Sequence, residues 1–469
     1  MAEKETHFDV VVIGGGPGGY PAAIKAAQNG AKVALIEKEH LGGTCLNWGC
    51  IPTKTLIANA ELLSQIQKAN DFGISVDKVS FDFGAMTDRK DNVVEGLRNG
   101  LSGLIKANKI ELFRGFGQFT SPKQIKVTGE DNAIITTDKT IVACGSKPKE
   151  IKAFPFDHKK VMSSDSILAL RQLPKSLVII GGGVIGCEFA SLYSKLGVKV
   201  TILEALPTII PMESAGVSSE LAKVFAENKI DVQTGVFVEG VDSTKKGIKV
   251  RIKEGDAVEA EMVLVAVGRD LNTFDMGLRE AGVAVEKNGV VPVNEHMETG
   301  ADGIYAIGDI TGKWQLAHVA THQGIVAANN ATGHNQVMHY EAVPSVIFTD
   351  PEIATVGLSL EKAQELGLPA SLGAFPFKAL GKAQAAMATE GFGQVVINSE
   401  TNQVIGAQVI GHGASILIAE MAIAIANELT IECISDTIHA HPTTAEVWME
   451  AAMMAEGLPL HLPPKRKKK

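Results

Sequence analysis

The chain is poor in cysteine and in aromatic residues. Of its 469 residues, 5 are cysteine and 5% are aromatic. Five cysteines are too few to hold a secreted scaffold of this length together with disulfides. The low aromatic content disfavours a stacking platform for single-stranded nucleic acid. Hydrophobic residues at 45% and charged residues at 21% are ordinary for a globular protein, which excludes a disordered or fibrous chain.

The chain also lacks an excess of positive charge and any long apolar run. Its 44 basic and 53 acidic residues give a net charge of −9, so we expect no nucleic-acid partner. The first ten residues hold three acids and no apolar signal core. The most apolar late stretch, residues 416–426, is short and contains Glu420, which predicts no membrane span. We therefore expect a cytoplasmic protein whose basic run at 465–469 is a solvated end rather than a partner-binding tail.

Glycine, in contrast, is abundant, and the chain uses one glycine-rich pattern twice. A buried-strand pattern ends in the glycine cluster 14–19, and a second ends in the cluster 181–186. Each cluster opens a helical pattern, which is followed by a strand that ends in an acid, Glu37 or Glu204. Each acid lies 23 residues after the first glycine of its cluster. Two βαβ units with the same spacing predict two Rossmann-like dinucleotide-binding domains.

Both clusters match the G-x-G-x-x-G pattern that binds a pyrophosphate. Its glycines allow a tight turn, a close approach of the phosphates and close packing of helix on strand. The acid accepts hydrogen bonds from an adenosine ribose and repels a 2′-phosphate. No arginine or lysine follows Glu204 at 205–210, which favours NAD over NADP. Two adenine dinucleotides on one chain indicate FAD and NAD, since a flavin and a nicotinamide exchange hydride face to face.

A cysteine pair, Cys45 and Cys50, lies shortly after the first acid. Its spacing is neither the usual zinc spacing nor the C-x-x-C redox spacing. In an ideal helix the two Cα atoms would lie about 8.6 Å apart, and a disulfide needs less than about 7 Å. A bridge therefore needs a distorted helix start, which Gly49 and Pro52 allow, and it would be easily reduced and so catalytic. Three interpretations stay open here: a redox-active disulfide, two inert thiols, or half of a metal site.

The other cysteines, Cys144, Cys187 and Cys433, stand alone in apolar runs. We expect each of them to be a small core residue.

Two histidines close to the C-terminus form the segment His439-Ala440-His441-Pro442-Thr443, which is followed by Glu446. A histidine suits the removal of a proton from a dithiol at neutral pH, and a carboxylate can orient its ring. Alternatively the segment is a surface or buried polar feature, or it forms a zinc site with the two cysteines. The zinc interpretation leaves both dinucleotide loops unexplained.

Four motifs in order, at 14–19, 42–54, 305–309 and 439–443, resemble the pyridine nucleotide–disulfide oxidoreductases. With the repeated βαβ units and the α+β pattern beyond residue 344, the resemblance implies an α/β fold. It would contain two Rossmann-like domains, for FAD and NAD, and a C-terminal α+β dimerisation domain. The expected boundaries are 1–147 and 270–343 for the FAD-binding domain, 148–269 for NAD, 344–460 for dimerisation and 461–469 for the basic tail.

The resemblance also implies roles for single residues. Cys50 would lie against the flavin, and Cys45 would exchange with substrate. Lys54 would lie near the flavin and pair with Glu188. His441, oriented by Glu446, would be the base and would reach the disulfide of the other subunit, so the active site needs a homodimer. No metal is implied. The resemblance implies two further sets of residues, one for each cofactor. FAD would contact Gly14, Gly16, Gly18, Gly19, Glu37, Gly43, Thr44, Lys54, Gly117, Gly145, Ser146, Asp309, Gln315, Leu316, Ala317 and His318. NAD would contact Gly181, Gly183, Val184, Ile185, Gly186, Glu188, Glu204, Val238 and Gly268.

The activity implied by the resemblance is the oxidation of dihydrolipoyl groups, with hydride transfer to NAD. The partners would then be the lipoyl domains of the dihydrolipoyl acyltransferases in 2-oxoacid dehydrogenase complexes, with glycine cleavage as a further user. One alternative in the same family is a glutathione-reductase-like enzyme. An alternative of another class is a flavoprotein subunit that serves interaction without catalysis.

Overall fold

The computed structural model describes residues 6–244 and 247–463. The basic run at 465–469, for which we predict a solvated end, lies outside the described residues. The chain forms two compact units. The first takes in Met1–Ile151, Ser163–Leu173 and Val267–His339, and the second takes in Lys152–Met162, Pro174–Ala266 and Tyr340–Lys469.

The two units are built from the following strands and helices, given in chain order. The strands are β1 (Thr6–Ile13), β2 (Val33–Glu37), β3 (Glu111–Ser121), β4 (Gln124–Gly129), β5 (Ala133–Val142), β6 (Ser146–Pro148), β7 (Val161–Met162), β8 (Ser176–Ile180), β9 (Lys199–Glu204), β10 (Asp231–Thr234), β11 (Val238–Thr244), β12 (Gly247–Ile252), β13 (Val258–Ala260), β14 (Met262–Val265), β15 (Arg269–Leu271), β16 (Ile304–Ala306), β17 (Ser345–Ile347), β18 (Ile353–Gly357), β19 (Ala370–Pro376), β20 (Phe392–Asn398) and β21 (Val404–Ile410). The helices are α1 (Gly19–Gln28), α2 (Gly43–Trp48), α3 (Cys50–Gln67), α4 (Phe83–Ala107), α5 (Val184–Lys195), α6 (Ala215–Glu227), α7 (Ala317–Ala331), α8 (Leu360–Glu365), α9 (Gly381–Ala385), α10 (Ala414–Ala426), α11 (Ile431–Ser435) and α12 (Glu446–Glu456).

The first unit is built on a largely parallel sheet around β1. Strands β2 and β5 flank β1 in parallel, β3 pairs in parallel with β2, and β16 pairs in parallel with β5. The antiparallel strand β4 joins the far parts of β3 and β5. All of residues 10–13 are buried, as is typical of a parallel strand that is covered on both faces. Loops that follow β1, β2, β5 and β16 therefore meet at one edge of the sheet, where ligands bind in such folds.

The second unit repeats this plan and adds an antiparallel layer. Its parallel sheet has the order β10-β9-β8-β14-β7, and β11, β12 and β13 form a small antiparallel sheet. The C-terminal part is an antiparallel sheet of order β17-β18-β21-β20-β19. Helices α10 and α12 supply much of its apolar core, in which Trp448 is fully buried and donates from Nε1 to the Leu417 carbonyl at 3.1 Å.

The predicted fold class, two dinucleotide-binding βαβ units and a C-terminal α+β domain, is confirmed. One of the three expected core cysteines is placed wrongly. Cys187 is buried and Cys144 is half-buried against the core, but Cys433 is exposed. The physical reason is helical periodicity, because α11 turns Ile431 and Ile434 inward, and Cys433 lies on the opposite face of this helix. Within residues 6–244 and 247–463, no helix is both long and apolar enough to cross a membrane.

Candidate active site

The glycine loop between β1 and α1 is shaped by close backbone contacts. Gly14 has a φ of 103°, and a Cβ there would lie 2.3 Å from the Ala143 carbonyl oxygen. A Cβ on Gly19 would lie 1.7 Å from the carbonyl oxygen of Gly14. The middle glycine is different, since the nearest atom to a Cβ on Gly16 would be the Gly43 Cα at 3.8 Å. The outer glycines are therefore required by packing, whereas the middle one borders open space.

The loop between β8 and α5 in the second unit has the same construction. Gly181 has a φ of 107°, and a Cβ on Gly186 would lie 2.0 Å from the Gly181 carbonyl oxygen. No atom lies within 4 Å of where a Cβ on Gly183 would be. In both loops the middle glycine thus leaves room beside a helix N-terminus, which is where a pyrophosphate binds. The two loops fit the two dinucleotides that the sequence predicts.

The acid after each second strand is held by its own loop. Glu37 accepts hydrogen bonds from the Gly15 and Glu39 backbone N–H groups, both at 2.7 Å. Glu204 accepts from the Gly182 N–H at 2.5 Å and from the Leu206 N–H at 2.7 Å. Each carboxylate oxygen keeps a lone pair for a ribose hydroxyl. Burial raises the pKa of Glu37, and its two backbone hydrogen bonds oppose that rise.

The other residues expected to contact FAD lie in the first unit. Ser146 donates to the Asp309 carboxylate, and Arg269 donates to the Ser146 hydroxyl at 2.7 Å and to its carbonyl at 2.8 Å. The fully buried Gln323 accepts from the Gly308 N–H at 2.6 Å. The remaining expected residues are Gly43 and Thr44 at the start of α2, Lys54 on α3, Gly117 in β3, Gly145 after β5, and Gln315, Leu316, Ala317 and His318 at the start of α7.

Arg269 and Gln323 are absent from the set of sites expected from the sequence. Arg269 follows a glycine at the end of a strand pattern, which is a weak signal for a residue at the ligand edge of the sheet. Nothing in the sequence around Gln323 distinguishes it from an ordinary helix residue.

Most residues expected to contact NAD lie in the second unit. Val184, Ile185, Gly186 and Glu188 are on α5, and Val238 begins β11. Glu188 is buried and accepts a hydrogen bond from the Phe348 N–H at 2.9 Å. Gly268 belongs to the first unit, as does Lys54. Because Glu188 belongs to the second unit, the pairing of Lys54 with Glu188 stays a prediction.

The two cysteines lie on either side of a break between two helices. Cys45 is in α2, Cys50 is the first residue of α3, and Gly49 between them has φ −135° and ψ −110°, which is not helical. Across this break the two cysteines interact with each other as free thiols. The side-chain interaction with Cys50 and burial raise the pKa of Cys45, against the lowering effect of a backbone hydrogen bond from Cys50 and of the Lys54 charge.

Two further side chains, Lys54 and Tyr20, interact electrostatically with the cysteine pair. Lys54 follows Cys50 by one turn on the same face of α3. Burial raises the pKa of Tyr20 on α1, and the charge of Cys45 adds to the rise. Lys54 opposes the rise in the pKa of Cys45, and a paired thiol beside such a cation is suited to thiol–disulfide exchange.

The C-terminal histidines have separate carboxylate partners. His441 Nδ1 lies 2.9 Å from Glu446 Oε1, and the Thr443 N–H donates to the other Glu446 oxygen at 2.9 Å. Burial pulls the pKa of Glu446 upward, but the hydrogen bonds from His441 and Thr443 outweigh it and hold that pKa below its usual value. His439 instead lies 2.9 Å from Glu420 through Nε2. His441 is 74% exposed in its side chain, so its Nε2 is open to a substrate.

The fold and the site define a class of protein. A family model described as pyridine nucleotide-disulphide oxidoreductase matches residues 8–324, and a model of the dimerisation domain of that family matches residues 343–452. The chain belongs to the pyridine nucleotide-disulphide oxidoreductase family. It is an oxidoreductase that uses FAD and NAD, as the two loops predict, and its dimerisation domain supports a homodimer.

Similar proteins with a more specific name indicate one activity within this family. A dihydrolipoyl dehydrogenase from Chlamydia pneumoniae is 52% identical over 459 residues, covering 98% of this chain and 99% of the relative. One from Geobacillus stearothermophilus is 40% identical over 458 residues, covering 97% of each. The solved structure of LpdA from Mycobacterium tuberculosis matches with a TM-score of 0.90 at 28% identity, covering 95% of this chain and 99% of that one. The activity predicted from the sequence agrees with the name that the curated relatives share.

Proposed function

We propose that this chain oxidises dihydrolipoyl groups to lipoyl groups and transfers the electrons to NAD. The observation that carries the proposal is the pairing of the Cys45 and Cys50 thiols across the helix break, beside Lys54. A pair that can close into a disulfide and reopen accepts two electrons from a substrate dithiol. The full-length relatives named dihydrolipoyl dehydrogenase support the choice of substrate.

The thiol chemistry proceeds in two exchanges. A substrate thiolate attacks Cys45 Sγ of the oxidised pair, a sulfur–sulfur bond forms to the substrate, and the Cys45–Cys50 bond breaks with Cys50 leaving as a thiolate. The second substrate thiol then attacks the substrate sulfur of the mixed disulfide. The lipoyl ring closes and Cys45 is released. The substrate dithiol is oxidised and the cysteine pair is reduced by the same two electrons.

His441 manages the protons of these exchanges. It takes the proton of the first substrate thiol, while Glu446 holds the ring by Nδ1 and stabilises the imidazolium. At the end of the second exchange one proton rests on Cys45 and the other on the imidazolium. We propose that this base comes from the second copy in the homodimer, so that each active site uses both chains.

The residues already described would hold the dinucleotides. Bound FAD would supply an acceptor for the electron pair of the cysteines and a hydride donor to NAD. The loop at 14–19, Glu37 and the Ser146–Asp309 pair would hold FAD, and the loop at 181–186 with Glu204 would hold NAD. Lys54 would stabilise negative charge at the flavin and pair with Glu188.

Three further expectations complete the proposal. The partners are the lipoyl domains of dihydrolipoyl acyltransferases, since these carry the substrate group. The enzyme works in the cytoplasm. Its FAD-binding domain comprises residues 1–147 and 270–343, its NAD-binding domain residues 148–269, and its dimerisation domain residues 344–460.

The test is anaerobic mixing of the purified protein with dihydrolipoamide and NAD⁺, with NADH followed by absorbance. Fast NADH formation is expected, and replacing NAD⁺ by NADP⁺ should slow it strongly because Glu204 repels the 2′-phosphate. Glutathione in place of dihydrolipoamide is the substrate control. A flavin-loaded protein that reacts with glutathione and NADP⁺ but not with dihydrolipoamide would overturn the proposal.

A further inference from the structure

Asn47 lies between the two cysteines in the sequence and is almost fully buried, with 9% of its surface exposed. Its amide nitrogen donates to the Leu41 carbonyl at 3.0 Å and to the Gly43 carbonyl at 2.9 Å. These carbonyls belong to the turn that precedes α2 and to the first residue of α2. One side chain thus fastens the helix that holds Cys45 to the loop from which the helix starts.

The hydrogen bonds of Asn47 fix which way its amide points. Both carbonyl oxygens only accept, so the nitrogen must face them, and the amide oxygen must face away. There Oδ1 accepts from Arg98 Nε on α4 at 3.0 Å. Arg98 thus donates a hydrogen bond to the buried amide oxygen, and a buried acceptor that loses its donor is costly.

We propose that Arg98 is a positioning residue for the redox thiols, which acts through Asn47 to hold α2 and Cys45 in register with Cys50. The proposal rests on the proposed thiol–disulfide function. Helix α2 has only six residues and is interrupted at Gly49, so its own hydrogen bonds hold it weakly. The hydrogen bond from Arg98 on the 25-residue helix α4 therefore holds α2 more rigidly than its own hydrogen bonds do. Exchange between sulfurs is sensitive to such placement, since small displacements of reacting atoms reduce the rate steeply.

The test compares Arg98→Leu with Arg89→Leu. Arg89 is on the same helix but donates to the Thr55 carbonyl and to Asn59 of α3, so its loss leaves Asn47 and α2 untouched. In the reduced holoenzyme, Cys45 is alkylated with iodoacetamide and the labelled peptide is quantified against time. We expect alkylation of Cys45 to be about threefold faster in Arg98→Leu, and turnover of dihydrolipoamide about fivefold slower, because α2 is looser. Arg89→Leu should match the wild type in both.

Two further measurements show whether Arg98 acts through Asn47 and on the thiols alone. Reduction of ferricyanide by NADH does not use the cysteine pair, so it should stay within about twofold of wild type in Arg98→Leu if only thiol geometry has changed. Combining Arg98→Leu with Asn47→Ala should be no worse than Asn47→Ala alone. If Asn47→Ala does not fold, the comparison of Arg98→Leu with Arg89→Leu decides by itself.

Equal behaviour of Arg98→Leu and Arg89→Leu in both assays would overturn the proposal, as would additive losses in the double variant. Failure of the proposed function is distinguishable, because a wild-type enzyme inactive with dihydrolipoamide still gives an alkylation rate for Cys45 in each variant.

Discussion

Glu446 and His441 are joined by a hydrogen bond within one short stretch of chain. The Thr443 N–H holds the second oxygen of the carboxylate, so Glu446 is fixed at the N-terminus of α12 before it binds the ring. A negative charge at that end of a helix is favourable. His441, the proposed base, is therefore held by a rigid support, although the imidazole itself is exposed.

We predict that His441→Gln lowers turnover of dihydrolipoamide by at least about 100-fold, because general-base assistance is lost. The matched control is His439→Gln, whose ring pairs with Glu420 and not with Glu446. Stopped-flow reduction by dihydrolipoamide measures the effect, and flavin absorbance shows that the fold is kept. Turnover of His441→Gln close to that of wild type would contradict the base assignment.

At the scale of elements, the loop between β8 and α5 needs its outer glycines for packing and, as we predict, its middle glycine for ligand binding. The third glycine of the loop packs against the first, while the middle glycine borders open space. The same residue type is thus required for two different physical reasons within six residues.

We predict that Gly186→Ala destabilises the protein by about 1–3 kcal/mol, because the added methyl group would overlap the Gly181 carbonyl. Gly183→Ala should leave stability unchanged, since it has room for a methyl group, but should weaken NAD binding about tenfold by filling the space of the pyrophosphate. Thermal unfolding and the KM for NAD⁺ separate the two effects. Equal losses of stability in Gly183→Ala and Gly186→Ala would show that both glycines are required for packing.

The helix α12 carries a second histidine–glutamate pair one turn after Glu446. Glu450 is 2% exposed, and its Oε1 lies 2.5 Å from His461 Nδ1. Its Oε2 has no hydrogen-bond partner within the described part of the chain. The hydrogen bond to Glu450 raises the pKa of His461, and the charge of Glu446 adds to that rise. The pair ties the last described residues back onto the helix.

The raised pKa of His461 gives this tie a pH dependence. Its stabilisation is fully present below the ordinary histidine pKa of about 6.5 and is lost as the pH rises through the raised value. We predict that His461→Gln lowers the Tm by about 1–2 °C at pH 6 and by less at pH 9. His334→Gln, at an exposed site in the first unit, is the control and should show no such difference. A larger effect of His461→Gln at pH 9 than at pH 6 would reverse the sign and refute the argument.

At the scale of the whole molecule, the two thiols and the proposed base lie in different units of the chain. Cys45 and Cys50 belong to the first unit, and His441 and Glu446 belong to the second, within the match to the dimerisation domain. A homodimer allows the second unit of one copy to complete the first unit of the other.

Complementation tests whether the site is shared. Cys45→Ser and His441→Gln homodimers are each expected to be inactive with dihydrolipoamide. Random exchange of their subunits should restore about a quarter of wild-type activity, because half of the dimers become mixed and each mixed dimer has one intact site. Sedimentation and tagged subunits verify that exchange has occurred. No recovery after verified exchange would mean that each chain builds its own site.

The sequence alone determined the parts of the site that depend on short-range spacing. Each acid and its glycine loop belong to one βαβ unit, so spacing along the chain predicts their meeting. The His441–Glu446 contact spans five residues, and the break at Gly49 lies between the two cysteines. Here the backbone conformation of a single turn or unit is enough to place the partners.

Only the tertiary structure decided the contacts between distant segments. Arg269 reaches Ser146 across 123 residues, and Arg98 reaches Asn47 across 51. Cys433 points to solvent because two neighbouring isoleucines take the buried face of α11. Such contacts depend on which strand ends and helix faces packing brings together. The spacing of residues within one segment does not predict which distant segments pack against it.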